Sequence, residues 1–186
     1  NRFLFIPSLF IQKLTGVRQN DVTMLGTSML ADLKHRKVSA EITAALGIDA
    51  GLFGEIAESG SKAGEINKKA MQETGIPLEV PVYFAGHDTQ FAIIGSGAGL
   101  NQPVLSSGTW EILMTRSASY SASENELNKN LTTEADAISG IFNIGQNWLG
   151  SGVLEWFSRN FYPELSGDSL FEKMIGDAAL IKPCSH

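Results

Sequence analysis

Cysteine is almost absent from this sequence of 186 residues, in which Cys184 is the only one. A single cysteine excludes a disulfide within the chain and any metal site built from several cysteines. Such scarcity is typical of a reducing compartment, so we predict a cytoplasmic protein. No apolar run approaches the roughly 20 residues that a helix needs to span a bilayer, and we expect no membrane partner.

An excess of positive charge is also missing. The sequence has 14 Lys and Arg against 20 Asp and Glu, for a net charge of −6, and its basic residues form no stripe. A nucleic-acid surface needs a basic patch, so we expect no nucleic-acid partner. A local phosphate site remains possible, because backbone N–H groups and helix ends bind anions without a basic domain.

The chain begins at Asn1 without an initiating methionine, and its first residues lack the layout of a signal peptide. We therefore expect these residues to be part of a longer protein. Hydrophobic residues make up 43% of the sequence, which is typical of a chain with a packed core.

Residues 1–80 predict a mostly helical first domain. Phe3, Ile6, Phe10 and Leu14 recur at helical spacing, and Leu4 and Ile11 widen this apolar face. We therefore expect a helix over 3–14 that buries this face. Residues 20–33 favour a turn and a short strand. Three more helices are predicted at 40–46, 50–54 and 65–74.

Residues 81–186 predict a second domain that opens with strand–helix–strand units, and the whole chain is therefore predicted to be α/β. The apolar run 80–85 is expected to be a buried strand, and the polar stretch 117–137 an exposed excursion. The remaining predicted elements are a helix at 89–96, strands at 103–106, 109–115 and 138–144, and helices at 148–161 and 169–176.

Asp88 is the candidate catalytic residue, in the run Gly86-His87-Asp88-Thr89-Gln90. It follows an apolar strand, and ligands of open α/β sheets bind at the carboxyl ends of strands. It also lies at the predicted N-cap of the next helix, where the dipole favours an ionised carboxylate. Asp88 is therefore either a simple helix cap or a general base, and its polar neighbours His87 and Gln90 favour the base.

Ser107-Gly108-Thr109 is a candidate phosphate turn. Glycine lets the backbone approach an anion closely, and Thr109 offers both an N–H and an O–H donor. The Gly-Lys-Ser/Thr ending of a Walker A loop is missing.

Residues 81–116, which contain Gly-His-Asp-Thr-Gln and Ser-Ser-Gly-Thr-Trp, resemble the FGGY family of carbohydrate kinases. Similarity continues upstream through 21–30 and downstream through Trp148-Leu149-Gly150-Ser151-Gly152. The resemblance implies part of an actin-like, RNase H-like sugar kinase: the end of the sugar-binding domain over 1–80 and the start of the nucleotide-binding domain over 81–186.

The resemblance also implies an activity, ATP-dependent phosphorylation of a deoxyketose with Mg²⁺. L-fuculose giving the 1-phosphate is expected first, and L-rhamnulose or another ketose is the alternative. Asp88 is implied to be the base. Where rhamnulokinases of this family have a glutamine that contacts the nucleotide, this sequence has Ser151 instead. The sugar contacts implied are His87, Thr89 and Asn143, and the nucleotide contacts are Gly108 and Thr109.

The family's N-terminal phosphate loop and its C-terminal adenosine motif are absent from these residues. We therefore expect the 186 residues alone to bind ATP poorly and turn over very slowly. Two other functions stay open, since fold alone does not settle chemistry. One is a noncatalytic actin-like binding module, and the other is a hydrolase that pairs Asp88 with Glu111.

Overall fold

The computed structural model describes residues 2–183, and Cys184 lies outside them. The fold is mixed α/β, as predicted. Its helices are α1 (Ile6–Thr15), α2 (Val22–Thr27), α3 (Ala40–Ala45), α4 (Lys68–Thr74), α5 (Asp88–Gly95), α6 (Glu124–Asn128), α7 (Ser151–Phe161) and α8 (Gly167–Ala179), with a 3₁₀ turn at Ala50–Phe53. Its strands are β1 (Asn20–Asp21), β2 (Ala31–Asp32), β3 (Lys37–Val38), β4 (Ile56–Ala57), β5 (Lys62–Glu65), β6 (Pro81–Tyr83), β7 (Pro103–Ser107), β8 (Trp110–Ser117), β9 (Thr132–Ala135) and β10 (Phe142–Leu149).

The chain divides into two compact units. The first contains Asn1–Ser106 and Ile112–Gln146, and the second contains Ser107–Glu111 and Asn147–His186. The predicted boundary near residue 80 refers to the domains of a whole kinase, and it stays a prediction.

The largest sheet has four strands in the order β7-β8-β10-β9. Strands β9 and β10 are antiparallel, with Glu134 directly opposite Asn143. Because side chains at paired positions point to the same face, this register brings two polar side chains together. A separate parallel pair joins β1 to β4, which places Asp21 beside Ala57.

Helix α1 confirms the predicted helix, but of the predicted buried face only Ile11 is in the core. Ser8 and Ile11 are buried, whereas Phe3, Ile6 and Phe10 are exposed. Ile11 belongs to a small core cluster with Ala57 and Phe84. Both sides of this helix carry apolar residues, so helical periodicity could not decide which side faces the core.

Strand β6 is shorter and more exposed than the buried strand predicted at 80–85. Its residue Tyr83 is 54% exposed, and the buried residue of this run is Phe84, just after the strand. Strand β6 pairs antiparallel with β5, and the helix predicted over 65–74 follows β5 as α4. The short edge strand exposes one of its faces, so an apolar run did not mean burial here.

Two further elements are missing from the sequence prediction. The turn and short strand expected over 20–33 are present, with β1 and β2 at its ends and a turn at 28–29, but helix α2 between the strands was not expected. The Asp21 side chain caps α2 by accepting a hydrogen bond from the Thr23 N–H. Strand β9 lies within 117–137, the predicted exposed excursion, and Ala135 and Asp136 are fully buried there. In contrast, α3 begins after Ser39, whose hydroxyl caps it as predicted.

Candidate active site

Asp88 lies at the first position of helix α5, and its side chain is 97% exposed. The N-cap residue is His87, so the prediction of Asp88 at the N-cap is wrong by one residue. Asp88 Oδ1 accepts a hydrogen bond from the Thr89 N–H at 2.8 Å. The helix dipole still favours a negative charge in this first turn, and the open carboxylate can reach a hydroxyl group from solvent.

The backbone just before Asp88 is held by buried polar groups of β1 and α2. The His87 N–H donates to Thr23 Oγ1 at 2.9 Å, and the Thr23 hydroxyl donates to Asp21 Oδ1 at 2.5 Å. Ser59 donates to the second oxygen of the same carboxylate at 2.8 Å. Asp21 and Thr23 are both fully buried, so the segment that carries Asp88 rests on a fixed support.

Gly86 lets the chain pass close to this support. A Cβ atom at Gly86 would lie 2.2 Å from Asp21 Oδ1 and 2.3 Å from Thr23 Oγ1. Real Cβ atoms do not come so close to other atoms, so any other residue here must displace the Asp21 and Thr23 side chains. The sequence places Gly86 directly after the predicted strand 80–85, but it gives no sign of the buried partners that require a glycine there.

His87 lies between two carboxylates. Its Nε2 is 3.5 Å from Asp88 Oδ1, and its Nδ1 is 3.4 Å from Glu134 Oε2. The contact with the Glu134 carboxylate is the main cause that raises the pKa of His87; burial opposes it, and the charge of Asp88 adds to it. The imidazole is 24% exposed, so it can touch a ligand while its other edge faces the protein.

Thr89 and Asn143, the other predicted sugar contacts, lie deeper. Thr89 is 7% exposed and Asn143 is fully buried. The Asn143 Nδ2 donates to Gln90 Oε1 and to Asp136 Oδ2 at 3.0 Å, while its Oδ1 has no hydrogen-bond partner. Oδ1 is therefore the Asn143 atom with hydrogen-bonding capacity left, but it is enclosed by protein in this structure.

Asp136 is a buried charge with a defined partner. Arg116 Nε donates to Asp136 Oδ2 at 3.0 Å, and the Ile138 N–H donates to Oδ1 at 2.8 Å. Such pairing is what a charge removed from water requires. Sequence reasoning missed Glu134 and Asp136 because they lie in a polar stretch that predicted exposure.

Gly108 and Thr109 belong to the second unit, at the tip of the β7–β8 hairpin. The Gly150 N–H donates to the Thr109 carbonyl at 2.8 Å, and the Ser151 N–H donates to the Gly108 carbonyl at 3.1 Å. These bonds tie the hairpin tip to the start of α7. A Cβ at Gly150 would lie 2.8 Å from the Gly108 carbonyl oxygen, so this approach needs a glycine.

An open cavity of about 880 Å³ lies at this hairpin tip. Gly108, Thr109 and Ser151 contribute its polar edge, and Trp148 and Trp156 contribute apolar surface. Its size is within the range of small-molecule sites, which are mostly apolar with a few polar groups that fix orientation.

Glu111 also belongs to this second unit, and its Oε1 accepts a hydrogen bond from Ser107 at 2.7 Å. Asp88 belongs to the first unit, so the carboxylate pair of a hydrolase stays untested. No group of three His, Cys, Asp or Glu residues suited to a metal occurs within residues 2–183. In the same described range, no helix has both the length and the apolar character to cross a bilayer.

Curated relatives are sugar kinases. L-fuculokinase of Escherichia coli (strain K12) is 44% identical over 181 residues, which are 97% of this chain and 38% of that protein. Rhamnulokinase of Halalkalibacterium halodurans is 29% identical over 174 residues, which are 94% of this chain and 37% of that protein. The chain thus spans less than two fifths of the length of these relatives.

Solved structures show the fold. Xylulose kinase from Rhodospirillum rubrum matches with a TM-score of 0.79 at 19% identity, covering 95% of this chain and 35% of that one. Ligand-bound xylulose kinase from Lactobacillus acidophilus matches with a TM-score of 0.76 at 18% identity, covering 89% of this chain and 33% of that one. The fold is therefore part of the actin-like sugar-kinase fold, as predicted.

The first half of the chain matches the sequence pattern of a known domain family. The FGGY family of carbohydrate kinases, N-terminal domain, matches residues 1–95 of the 186. This range is just over half of the chain and ends at the last residue of α5, so it includes Gly86, His87 and Asp88. The chain belongs to the FGGY family of carbohydrate kinases.

Proposed function

We propose that this chain is part of an ATP-dependent kinase that phosphorylates a deoxyketose, with L-fuculose giving L-fuculose 1-phosphate as the first substrate. The observation that carries the proposal is the exposed Asp88 carboxylate beside His87, in a chain 44% identical to L-fuculokinase of Escherichia coli. The relationship to rhamnulokinases, at 29% identity, supports L-rhamnulose as the alternative substrate.

In the proposed reaction Asp88 acts as general base. It accepts the proton of the sugar hydroxyl while that oxygen attacks the γ-phosphorus of ATP, and ADP leaves with the electrons of the broken P–O bond. A carboxylate that is 97% exposed at a helix start is accessible to such a hydroxyl. Positioned acid–base groups typically contribute about 10²–10⁴-fold to the rate.

The sugar contacts proposed are His87, Thr89 and Asn143. His87 is the most accessible of them, because part of its imidazole faces solvent. Thr89 is nearly enclosed and Asn143 is fully enclosed, so each can offer few atoms to a sugar. For Asn143 the atom without a hydrogen-bond partner is Oδ1.

Gly108 and Thr109 are proposed to contact ATP phosphate, from the polar edge of the cavity in the second unit. Mg²⁺ would supply charge stabilisation on the phosphates. Within residues 2–183 no group of three acidic, histidine or cysteine side chains could hold the Mg²⁺ ion. We therefore assign no step of the reaction to Mg²⁺. A cytoplasmic location stays a prediction that cell fractionation would check.

The test replaces Asp88 in the full-length kinase. Asp88→Asn should lower kcat for ketose phosphorylation by about 10²–10⁴-fold, because the base is lost, and should leave sugar binding largely intact. A coupled ADP-release assay over a ketose panel gives kcat, and calorimetry gives the sugar affinity.

Asp168→Asn is the matched control, because Asp168 is also exposed in the first turn of a helix. It should retain full activity. Full activity of the Asp88→Asn variant would contradict the role of Asp88 as base. A full-length wild type that phosphorylates no ketose would favour a noncatalytic binding module.

A further inference from the structure

A continuous set of polar side chains runs inward from the candidate base. Each member contacts the next through a hydrogen bond or an ion pair within the first unit. The members, from the surface inward, are Asp88, His87, Glu134, Gln90, Asn143, Asp136 and Arg116.

Glu134 connects His87 to the buried members of this set. Its Oε2 accepts a hydrogen bond from Gln90 Nε2 at 2.6 Å and lies 3.4 Å from His87 Nδ1. Its side chain is 17% exposed. The buried His87 Nδ1 makes no hydrogen bond within residues 2–183, so the Glu134 oxygen acts on it as a nearby negative charge. An acceptor-only carboxylate at this distance favours a proton on Nδ1.

The remaining members fix Glu134 in place. Glu134 and Asn143 are paired positions of β9 and β10, and Gln90 lies between them, bonded to both. Gln90 and Asn143 are fully buried. Buried amide groups with several partners have few alternative rotamers, so the carboxylate they hold has little freedom to move.

We propose that Glu134 is a positioning residue of this site: it binds the Nδ1 edge of His87 and so directs the Nε2 edge toward Asp88 and the substrate hydroxyl. The inference rests on the proposed function. Glu134 acts through His87 and does not itself touch the reacting atoms. The two acidic groups that face the imidazole are Glu134 from β9 and Asp88 from its own helix α5.

The decisive variant is Glu134→Gln in the full-length kinase, since glutamine keeps the size and an acceptor for Gln90 but removes the charge. The pKa of His87 should fall, because its main raising contact is with Glu134. The KM for the sugar should rise about tenfold (~1.4 kcal/mol), because His87 would no longer be oriented toward the substrate hydroxyl. The KM for ATP should stay the same.

Nitrogen NMR of the labelled imidazole reads the His87 tautomer and titration directly, with the signal assigned by its loss in His87→Asn. Glu134→Asp, which keeps the charge, should titrate closer to the wild type than Glu134→Gln. Glu79→Gln is the matched control, because Glu79 is exposed on the same unit, and it should change neither the titration nor the KM.

Two outcomes separate this inference from the proposed function. The wild type could be inactive while Nδ1 still carries the proton and Glu134→Gln still lowers the pKa of His87. That result would contradict the proposed kinase function and support the contact between Glu134 and His87. A wild-type imidazole protonated only at Nε2 at high pH, or a titration unchanged by Glu134→Gln, would overturn the inference. If the Glu134→Gln variant does not fold, the tautomer of His87 measured in the wild type is sufficient to test the inference.

Discussion

At the scale of single residues, the backbone beside Asp88 depends on Gly86. Gly86→Ala would place a Cβ 2.2 Å from the buried Asp21 carboxylate, and we expect a loss of about 1–3 kcal/mol in the free energy of unfolding. Gly95→Ala is the control in the same helix region, because nothing lies within 4 Å of its added Cβ, and it should be neutral or stabilising. Urea denaturation measures both.

The Arg116–Asp136 pair is a second residue-scale test. Asp136 is 0% exposed and Arg116 is 12% exposed at the side chain. Arg116→Met should cost about 3–5 kcal/mol, because it leaves a buried carboxylate without its cation. The exposed pair Arg159–Glu155 supplies the control: Arg159→Met should change the midpoint of denaturation very little. Equal effects of the two variants would contradict the buried network.

His87 predicts a pH dependence of stability. Its pKa in the folded protein is raised above 6.5 by Glu134, so the folded state binds a proton more tightly than the unfolded state. This contribution to stability is complete below about pH 6.5 and disappears as pH rises through the raised pKa. His87→Asn should therefore flatten this part of the stability curve, which denaturation at several pH values measures. An unchanged slope would contradict the assigned contact.

At the scale of elements, helix α6 is a five-residue helix that depends on its cap. Ser123 and Glu126 form a capping box, and hydrogen bonds from Ser123 and Ser121 lower the pKa of Glu126 to about 2. Ser123→Ala should speed amide exchange across 124–128, because the first turn loses its side-chain acceptor. Hydrogen-exchange mass spectrometry measures this, and Ser121→Ala, which leaves the cap in place, should have the smaller effect.

The elements also show what sequence could predict. The strand–helix–strand order around Asp88 and the hairpin at Gly108 follow from apolar runs and turn residues, and the structure confirms them. Strand β9 did not follow, because a strand that directs Glu134 into a polar network has the composition of a loop. The support of His87 by Thr23 was equally hidden, since 64 residues separate them in sequence.

At the scale of the whole molecule, the two units differ in burial. Leu25, Ile93 and Met114 are among the fully buried side chains of the first unit, whereas helices α7 and α8 of the second contain no buried residue. Opening is easiest where few apolar groups are buried. For residues 1–186, we expect amides of 151–179 to exchange faster than those of 88–95 in hydrogen-exchange mass spectrometry. Comparable protection of both segments would contradict this expectation.

The shared hydroxyl of Thr23 has a consequence for any attempt to change the proposed sugar specificity. That oxygen serves the Asp21 carboxylate and the His87 N–H together, so it is committed to the scaffold. A mutagenesis library for new acceptors would lose most clones by randomising Thr23 or Gly86. Diversity is better placed on neighbours whose side chains are exposed to solvent, where variation leaves the backbone around Asp88 intact.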